Sequence, residues 1–382
     1  MRHRGHLWIV ATAVLLAFSA GVGAQTWMRI FEGSDYGALF DVALTNDGNV
    51  FAVGATNHVH VPPFDGDVLI MELTLDGDVL WERTWGGSQF EQAWSVEPAE
   101  GGGFYIFGET ASFGAGDRDF FILRITDEGE EVWMRTYGDD QREWPFGMLA
   151  LSDGDLLIYG STAGEPDGIE QQYAVRVTPE GDIAWEHVLG EDEPQFVTGA
   201  IEISNGDLVL SVSVGEDGQL LKLDASGNVV WSRRYELDGW QYPSEAVQIE
   251  DGGFLLVGFY LGAASSHRAD VWLARCSSSG ELAWETSFGD PFTDDYALSL
   301  LRLADGTSLI GGLGSGMPLW RVDDHGAVLW ESRLHSSRMH GAYGLLDLPD
   351  SGFLVSGFLV IVNARSYDAV LWRTDLAGHI DD

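Results

Sequence analysis

One nine-residue stretch recurs along this chain and restricts the folds open to it. Leu223 to Trp231 reads LDASGNVVW, Leu73 to Trp81 reads LTLDGDVLW, Val177 to Trp185 reads VTPEGDIAW, and Val322 to Trp330 reads VDDHGAVLW. Variants end at Trp133 and Trp284, and Trp27 stands in the same context near the start. Successive tryptophans of this set are 46 to 54 residues apart. A repeat of that length means stacked or radially arranged units, each too small to bury an apolar face alone.

Each repeat carries four short apolar runs. In one of them these are Ala93–Val96, Phe104–Phe107, Phe120–Ile125 and Val132–Tyr137. They are rich in aromatic and β-branched residues and too short for helices. Asn46-Asp47-Gly48 and Asp251-Gly252 separate first and second runs, while Asp76-Gly77 and Ser226-Gly227 separate third and fourth. Glycine supplies positive φ and Asn or Asp tolerates it, so these are tight hairpin turns. A four-stranded antiparallel meander of about fifty residues is one propeller blade. The third run occurs seven times, beginning near Val68, Phe120, Tyr173, Leu220, Val271, Leu319 and Val370. The last repeat stops before its fourth run, and a matching run, Trp27–Phe31, stands at the other end of the chain. The expected fold is therefore all-β: a seven-bladed β-propeller over residues 25–382, with the N-terminal strand completing the last blade. Trp27, Trp81, Trp133, Trp185, Trp231, Trp284 and Trp330 are expected to pack between neighbouring blades. A cation recurs in the third run, at Arg124, Arg176, Lys222, Arg275, Arg321 and Arg373, with Glu72 as the exception. Ion pairing with nearby acids is the expected use.

A short basic start and the apolar run Leu7 to Ala20, followed by small residues up to Ala24, have the layout of a cleavable secretory signal over residues 1–24. The run is shorter than the ~20 residues that span a membrane. An exported protein, periplasmic or extracellular, is expected, without membrane insertion and as a monomer. There are 60 acidic residues against 20 basic ones, a formal charge of −40. Nucleic-acid and anionic-membrane binding need basic patches, so neither partner is expected. The single cysteine, Cys276, excludes an internal disulfide and aligns with core positions, which points to a buried, inert thiol.

The repeats resemble those of secreted bacterial seven-bladed propellers, best seen in Asp251-Gly252-Gly253-Phe254 and Gly227-Asn228-Val229-Val230-Trp231. The turn-plus-Trp part is similar to the tryptophan-docking motif of quinoprotein propellers. The resemblance spans nearly all of residues 25–382 and implies an exported propeller that binds or scaffolds. The quinone pocket of the second family uses adjacent cysteines, which a chain with one Cys lacks. No cofactor is expected, apart from a metal at the site described below.

Loops after the second and fourth strands of each blade open on one face, and the tight glycine turns occupy the other. The loop-rich face is the expected working surface, since binding residues sit on variable loops held by rigid scaffolds. Its candidates are Tyr36, Phe90, Glu91, Glu143, Trp144, Phe196, Trp240, Tyr242, Asp295 and Tyr296, an acid beside an aromatic in blade after blade. Such a surface suits a carbohydrate, a peptide or a cationic group held by acid and ring. The same residues also fit a packing role between blades. His58, His60, His335 and His340 with Asp35 form a candidate transition-metal site, since ring closure makes their blades neighbours. The expected function is non-catalytic binding of a carbohydrate or protein partner. The alternatives are a polysaccharide hydrolase or lyase using paired carboxylates such as Glu91 and Glu143, and a purely structural surface protein.

Overall fold

A computed structural model of the chain describes residues 16–17, 26–31, 37–56, 66–163, 168–190, 193–236, 239–262, 268–333, 339–348, 351–361 and 366–380. Regular structure among these residues is all strand. The first blade comprises Ala38–Leu44, Val50–Ala55, Val68–Leu73 and Val79–Trp85, paired antiparallel in that order. The same meander, each time as a separate sheet, opens at Glu91–Pro98, Glu143–Ala150, Gln195–Glu202 and Trp240–Gln248. Blades six and seven open at Tyr296–Arg302 and Met339–Leu348. They share one sheet, because Leu313, Gly314 and Ser315 of blade six pair with Gly341, His340 and Met339 of blade seven.

The seventh blade takes its fourth strand from the start of the chain. Trp27–Phe31 lies antiparallel beside Ser366–Thr374, with Trp27 opposite Arg373 and Phe31 opposite Ala369. A two-residue strand, Leu16–Ala17, adds outside it, opposite Met28 and Trp27. The rest of the 1–24 segment lies outside the described residues. Each opening strand packs beside the opening strand of the next blade, and the seventh packs beside the first. The seven meanders thus close into a ring, the architecture of a β-propeller.

The core lies between blades. Phe51 and Ile70 of the first blade cluster with Phe104, Ile106 and Phe121 of the second, and Leu354 and Leu371 of the seventh with Leu39 and Leu69 of the first. Second strands are therefore buried on both faces, as in Val50–Ala55 and Leu208–Val214. Fourth strands form the rim and alternate, as in Val229–Tyr235. Strand patterns follow this exposure: continuous apolar runs inside, alternating ones at the edge.

The tryptophans do join neighbouring blades, and the structure names their partner. Each ring lies over the glycine of the last hairpin in the following blade. A Cβ placed on Gly280 would sit 2.7 Å from the Trp231 ring, and one on Gly378 2.6 Å from Trp330. Gly77, Gly129, Gly181, Gly227 and Gly326 face Trp27, Trp81, Trp133, Trp185 and Trp284 in the same way. These glycines carry positive φ, +79° at Gly280. One residue thus meets two demands, the turn and the ring above it. Only Trp27 is buried; the other six rings are half-buried and covered from the outside. Arg83, Arg135 and Arg233, two residues after their tryptophans, cover three of the six, and Arg29 lies over Trp27 in the same way, with guanidinium carbons 5.6 to 5.8 Å from the ring centres.

Four of the six third-strand cations pair with acids in the first hairpin of their own blade, whereas Arg124 donates to the Ile125 and Gly102 carbonyls and Arg373 to the Leu75 carbonyl of the next blade. Arg176 bonds Asp153 and Asp155, Lys222 bonds Asp207 at 2.8 Å, Arg275 bonds Asp251 and Arg321 bonds Asp305. Glu72, the exception, accepts from Asn49 and from the Trp81 indole. Cys276 is buried; its thiol donates to the Tyr235 hydroxyl at 3.1 Å, and burial pushes it up to about 11.

Candidate functional site

Every opening strand carries a β-bulge at the same place. Pairing skips one residue between Leu39 and Asp41, Ala93 and Ser95, Pro145 and Gly147, Val197 and Gly199, Pro243 and Glu245, Ala297 and Ser299, and Ala342 and Gly344. The skipped residues are Phe40, Trp94, Phe146, Thr198, Ser244, Leu298 and Tyr343, and all seven line one central cavity of about 650 Å³. A bulge re-aims a side chain that regular pleating would send elsewhere. Six of the seven second strands place a glycine beside the bulge. A Cβ on Gly54, Gly108, Gly160 or Gly258 would strike the carbonyl of Ala38, Gln92, Trp144 or Tyr242. The fourth blade has Val212 there instead, opposite Val197.

Among the described residues the cavity wall combines aromatic rings with three carboxyls and no basic side chain. Phe40 lies 4.6 Å from Trp94 and 5.3 Å from Tyr343, a group of three rings on the wall that Asp41 also lines. Further round the ring, Tyr242 stacks on Phe259 at 4.9 Å and Tyr296 meets the same ring edge-on, on the wall that Glu245 also lines. Asp41 accepts from Val42 N–H, Val96 N–H and the Ser95 hydroxyl at 2.8 to 3.1 Å. Glu97 accepts from Ala150 N–H, and Glu245 from Leu300 N–H at 2.6 Å. Each of these carboxyls therefore ties its blade to the next. Burial raises Asp41 to about 6 and Glu97 and Glu245 to about 7, and the Asp41 charge adds to the rise in both glutamates.

The residues expected at the loop-rich face divide into two roles. Glu91, Glu143 and Asp295 are buried. Glu91 accepts from Gly87 N–H, Ser112 N–H and the Thr110 hydroxyl, and Glu143 accepts from Thr162 at 2.8 Å. Asp295 accepts from Asp290 N–H and forms a two-pronged ion pair with Arg333. These acids pin the loops of their own blades, and this use competes with the paired-carboxylate reading of Glu91 and Glu143. Burial raises Glu143 to about 7, assisted by Asp119 and Asp139. Phe90 is buried beneath the Arg118 guanidinium at 4.6 Å, and Trp144 is covered by Arg142 at the same distance. Phe196 packs near Phe146, while Tyr242 and Tyr296 wall the cavity. Trp240 is exposed. Tyr36, Asp35, His58, His60 and His335 lie outside the described residues, and of His340 only the backbone is described. Among the described residues no three His, Cys, Asp or Glu side chains are placed to hold a metal ion.

Sequence reasoning did not find the bulge ring. Its signal was present: a glycine inside an otherwise apolar second strand, as in Val53-Gly54-Ala55 or Tyr159-Gly160-Ser161, marks a close backbone approach. Two further exposed aromatics, Phe113 and Phe292, sit on loops of the same face as Trp240.

No protein-family model matches the chain, and no curated protein sequence matches it. Solved structures do resemble it. One described as "YCF48 bound to D1 peptide" matches with TM-score 0.55 at 13% identity, covering 98% of this chain and 100% of that one. The Pan2 WD40 domain of Neurospora crassa matches with TM-score 0.54 at 9% identity, covering 88% and 89%. Sqt1 from Chaetomium thermophilum matches with TM-score 0.53 at 12% identity, covering 92% and 86%. WD40 repeats build β-propellers, and at these identities the likeness is one of fold.

Proposed function

We propose that the protein is an exported, monomeric seven-bladed propeller that binds a protein or peptide partner, without catalysis, through its loop-rich face. One observation carries the reading. The exposed aromatic rings among the described residues, Phe113, Trp240 and Phe292, all sit on that face, and Phe292 is 78% exposed. The loops beneath them are pinned by buried Glu91 and Asp295, so little ordering is lost on binding. Exposed aromatics on a rigid support are the usual centres of binding energy. The likeness to a propeller described with a bound peptide favours a peptide over a sugar. The charge of −40 favours a partner with a basic surface. The Met1–Ala24 segment supports export.

Basic and acidic peptide arrays and a glycan array, run side by side with a hydrolysis assay on any hit, test this. Binding of basic peptides without turnover is expected, weakened about tenfold by Trp240→Ala or Phe292→Ala. Binding confined to glycans, turnover of a hit, or indifference to both substitutions overturns the reading.

A further inference from the structure

We propose that the central cavity is a binding site for an organic ammonium group, held by two clusters of aromatic rings and three carboxyls that no basic residue among those described offsets. This goes beyond the partner-binding reading and stands without it, because it concerns the walls of the channel and not the loops above.

The cavity, about 650 Å³, has room for a compact organic ion. Its charged groups are of one sign: Asp41, Glu97 and Glu245 line it, and among the described residues no Lys, Arg or His does. Elsewhere in the described chain Arg and Lys side chains find carboxylates readily, as Arg176, Lys222 and Arg333 do. Three carboxyls that share one cavity, with no counter-ion among the described residues, favour either protonation or a bound cation. Glu97 and Glu245 each have one oxygen bonded to a backbone N–H, and no donor to the other among the described residues. The remaining wall is what a soft cation prefers. Phe40, Trp94 and Tyr343 form one group of rings and Tyr242, Phe259 and Tyr296 another, and both line the cavity that Asp41 and Glu245 line. Ring faces attract a desolvated ammonium ion, and aromatic cages are the recurring recognition device for alkylated ammonium groups.

A bare metal ion fits less well. Calcium or magnesium needs several oxygens converging on one point, whereas no such group converges among the described residues. The acids come from blades one, two and five. A cation with diffuse charge and an apolar skin satisfies acids and rings together.

The other titratable groups facing the cavity are Tyr159, Tyr242, Tyr296 and Tyr343, all pushed upward by burial, so they stay neutral below pH 9. Ammonium binding favours ionised carboxyls. Affinity therefore rises as pH rises through about 6 to 7, where Asp41, Glu97 and Glu245 release their protons.

The ammonium group has two sources, a free small cation or the side chain of a partner peptide. Calorimetric titration of the full chain separates them with three probes. These are choline, its neutral isostere 3,3-dimethylbutan-1-ol, and a Gly/Ser peptide bearing one trimethyllysine. Choline or the peptide is expected to bind at pH 8, the alcohol at least about tenfold more weakly. The double variant Asp41→Asn, Glu245→Gln keeps cavity volume and removes charge; binding is expected to fall about tenfold while the variant still melts cooperatively. Wild-type affinity at pH 5 is expected to be lower than at pH 8. Trp240→Ala leaves choline binding unchanged, which separates this site from the loop-face reading. Equal binding of choline and the alcohol, wild-type affinity in the double variant, or no binding of choline or peptide overturns the proposal.

Discussion

Glu245 serves two ends that oppose each other. Its carboxylate holds Leu300 N–H across a blade boundary at 2.6 Å, yet it lines a cavity with other acids. Burial, with the Asp41 charge, raises it from the usual 4.5 to about 7. The folded protein thus holds this proton more tightly than the unfolded chain does. The resulting stabilisation is complete below about pH 4 and is lost as pH rises through about 7. Glu245→Gln removes the dependence and keeps an acceptor for Leu300. The variant should gain stability relative to wild type between pH 5 and pH 8 in parallel chemical denaturation. A difference that stays constant over that range would falsify the assignment. Sequence showed Glu245 only as one acid among 60. Nothing local distinguishes a residue beside a bulge from one on a loop, because the distinction lies in what surrounds it.

At the scale of the hairpin, the recurring Gly-to-Trp stretch joins elements that are not neighbours in sequence. The glycine of one copy docks the tryptophan of the copy before it: Gly280 meets Trp231, 49 residues earlier. Gly48 provides a control, with φ of +78° and nothing within 4 Å of an added Cβ. Gly48→Ala should cost about 1–2 kcal/mol, the strain of a left-handed non-glycine residue. Gly280→Ala has φ of +79° and the same strain, and in addition must displace Trp231. It should cost roughly 1–3 kcal/mol more, the usual penalty for overpacking. Equal destabilisation of the two variants would show that the ring does not bear on the turn. The repeat revealed that each tryptophan had a structural task. Trp-x-Arg recurs at Trp27, Trp81, Trp133 and Trp231, but the sequence reading did not assign the arginine a role. Only the assembled ring shows that the arginine lies over its own tryptophan and on the next blade's turn.

For the whole molecule, closure depends on one short strand. Trp27–Phe31 supplies the outer edge of the seventh blade, and Arg29 reaches the carbonyls of Asp76 and Gly77 in the first. Removing residues 26–31 takes away a sheet edge, one tryptophan dock and this bridge between chain ends. Melting should fall by roughly 5–10 °C or more, since a few kcal/mol moves a chain of this size by that amount. A truncation that melts like the full chain would mean that the ring is not held by its N-terminal strand.

The sequence by itself determined the strand count, the hairpins, the blade-to-blade tryptophans and the fourth strand borrowed from the chain start. These depend on local periodicity and on repetition, which are written in residue order. It did not determine which acids would pin loops and which would face the axis. Glu91 and Glu245 belong to the same kind of opening strand, yet one is enclosed by its own loop and the other faces a cavity. The bulge between Pro243 and Glu245 turns the chain by one residue, and seven such turns around a closed ring create a space that no single repeat contains. A cavity shared by seven blades is a property of the ring, so tertiary structure alone decides what lines it.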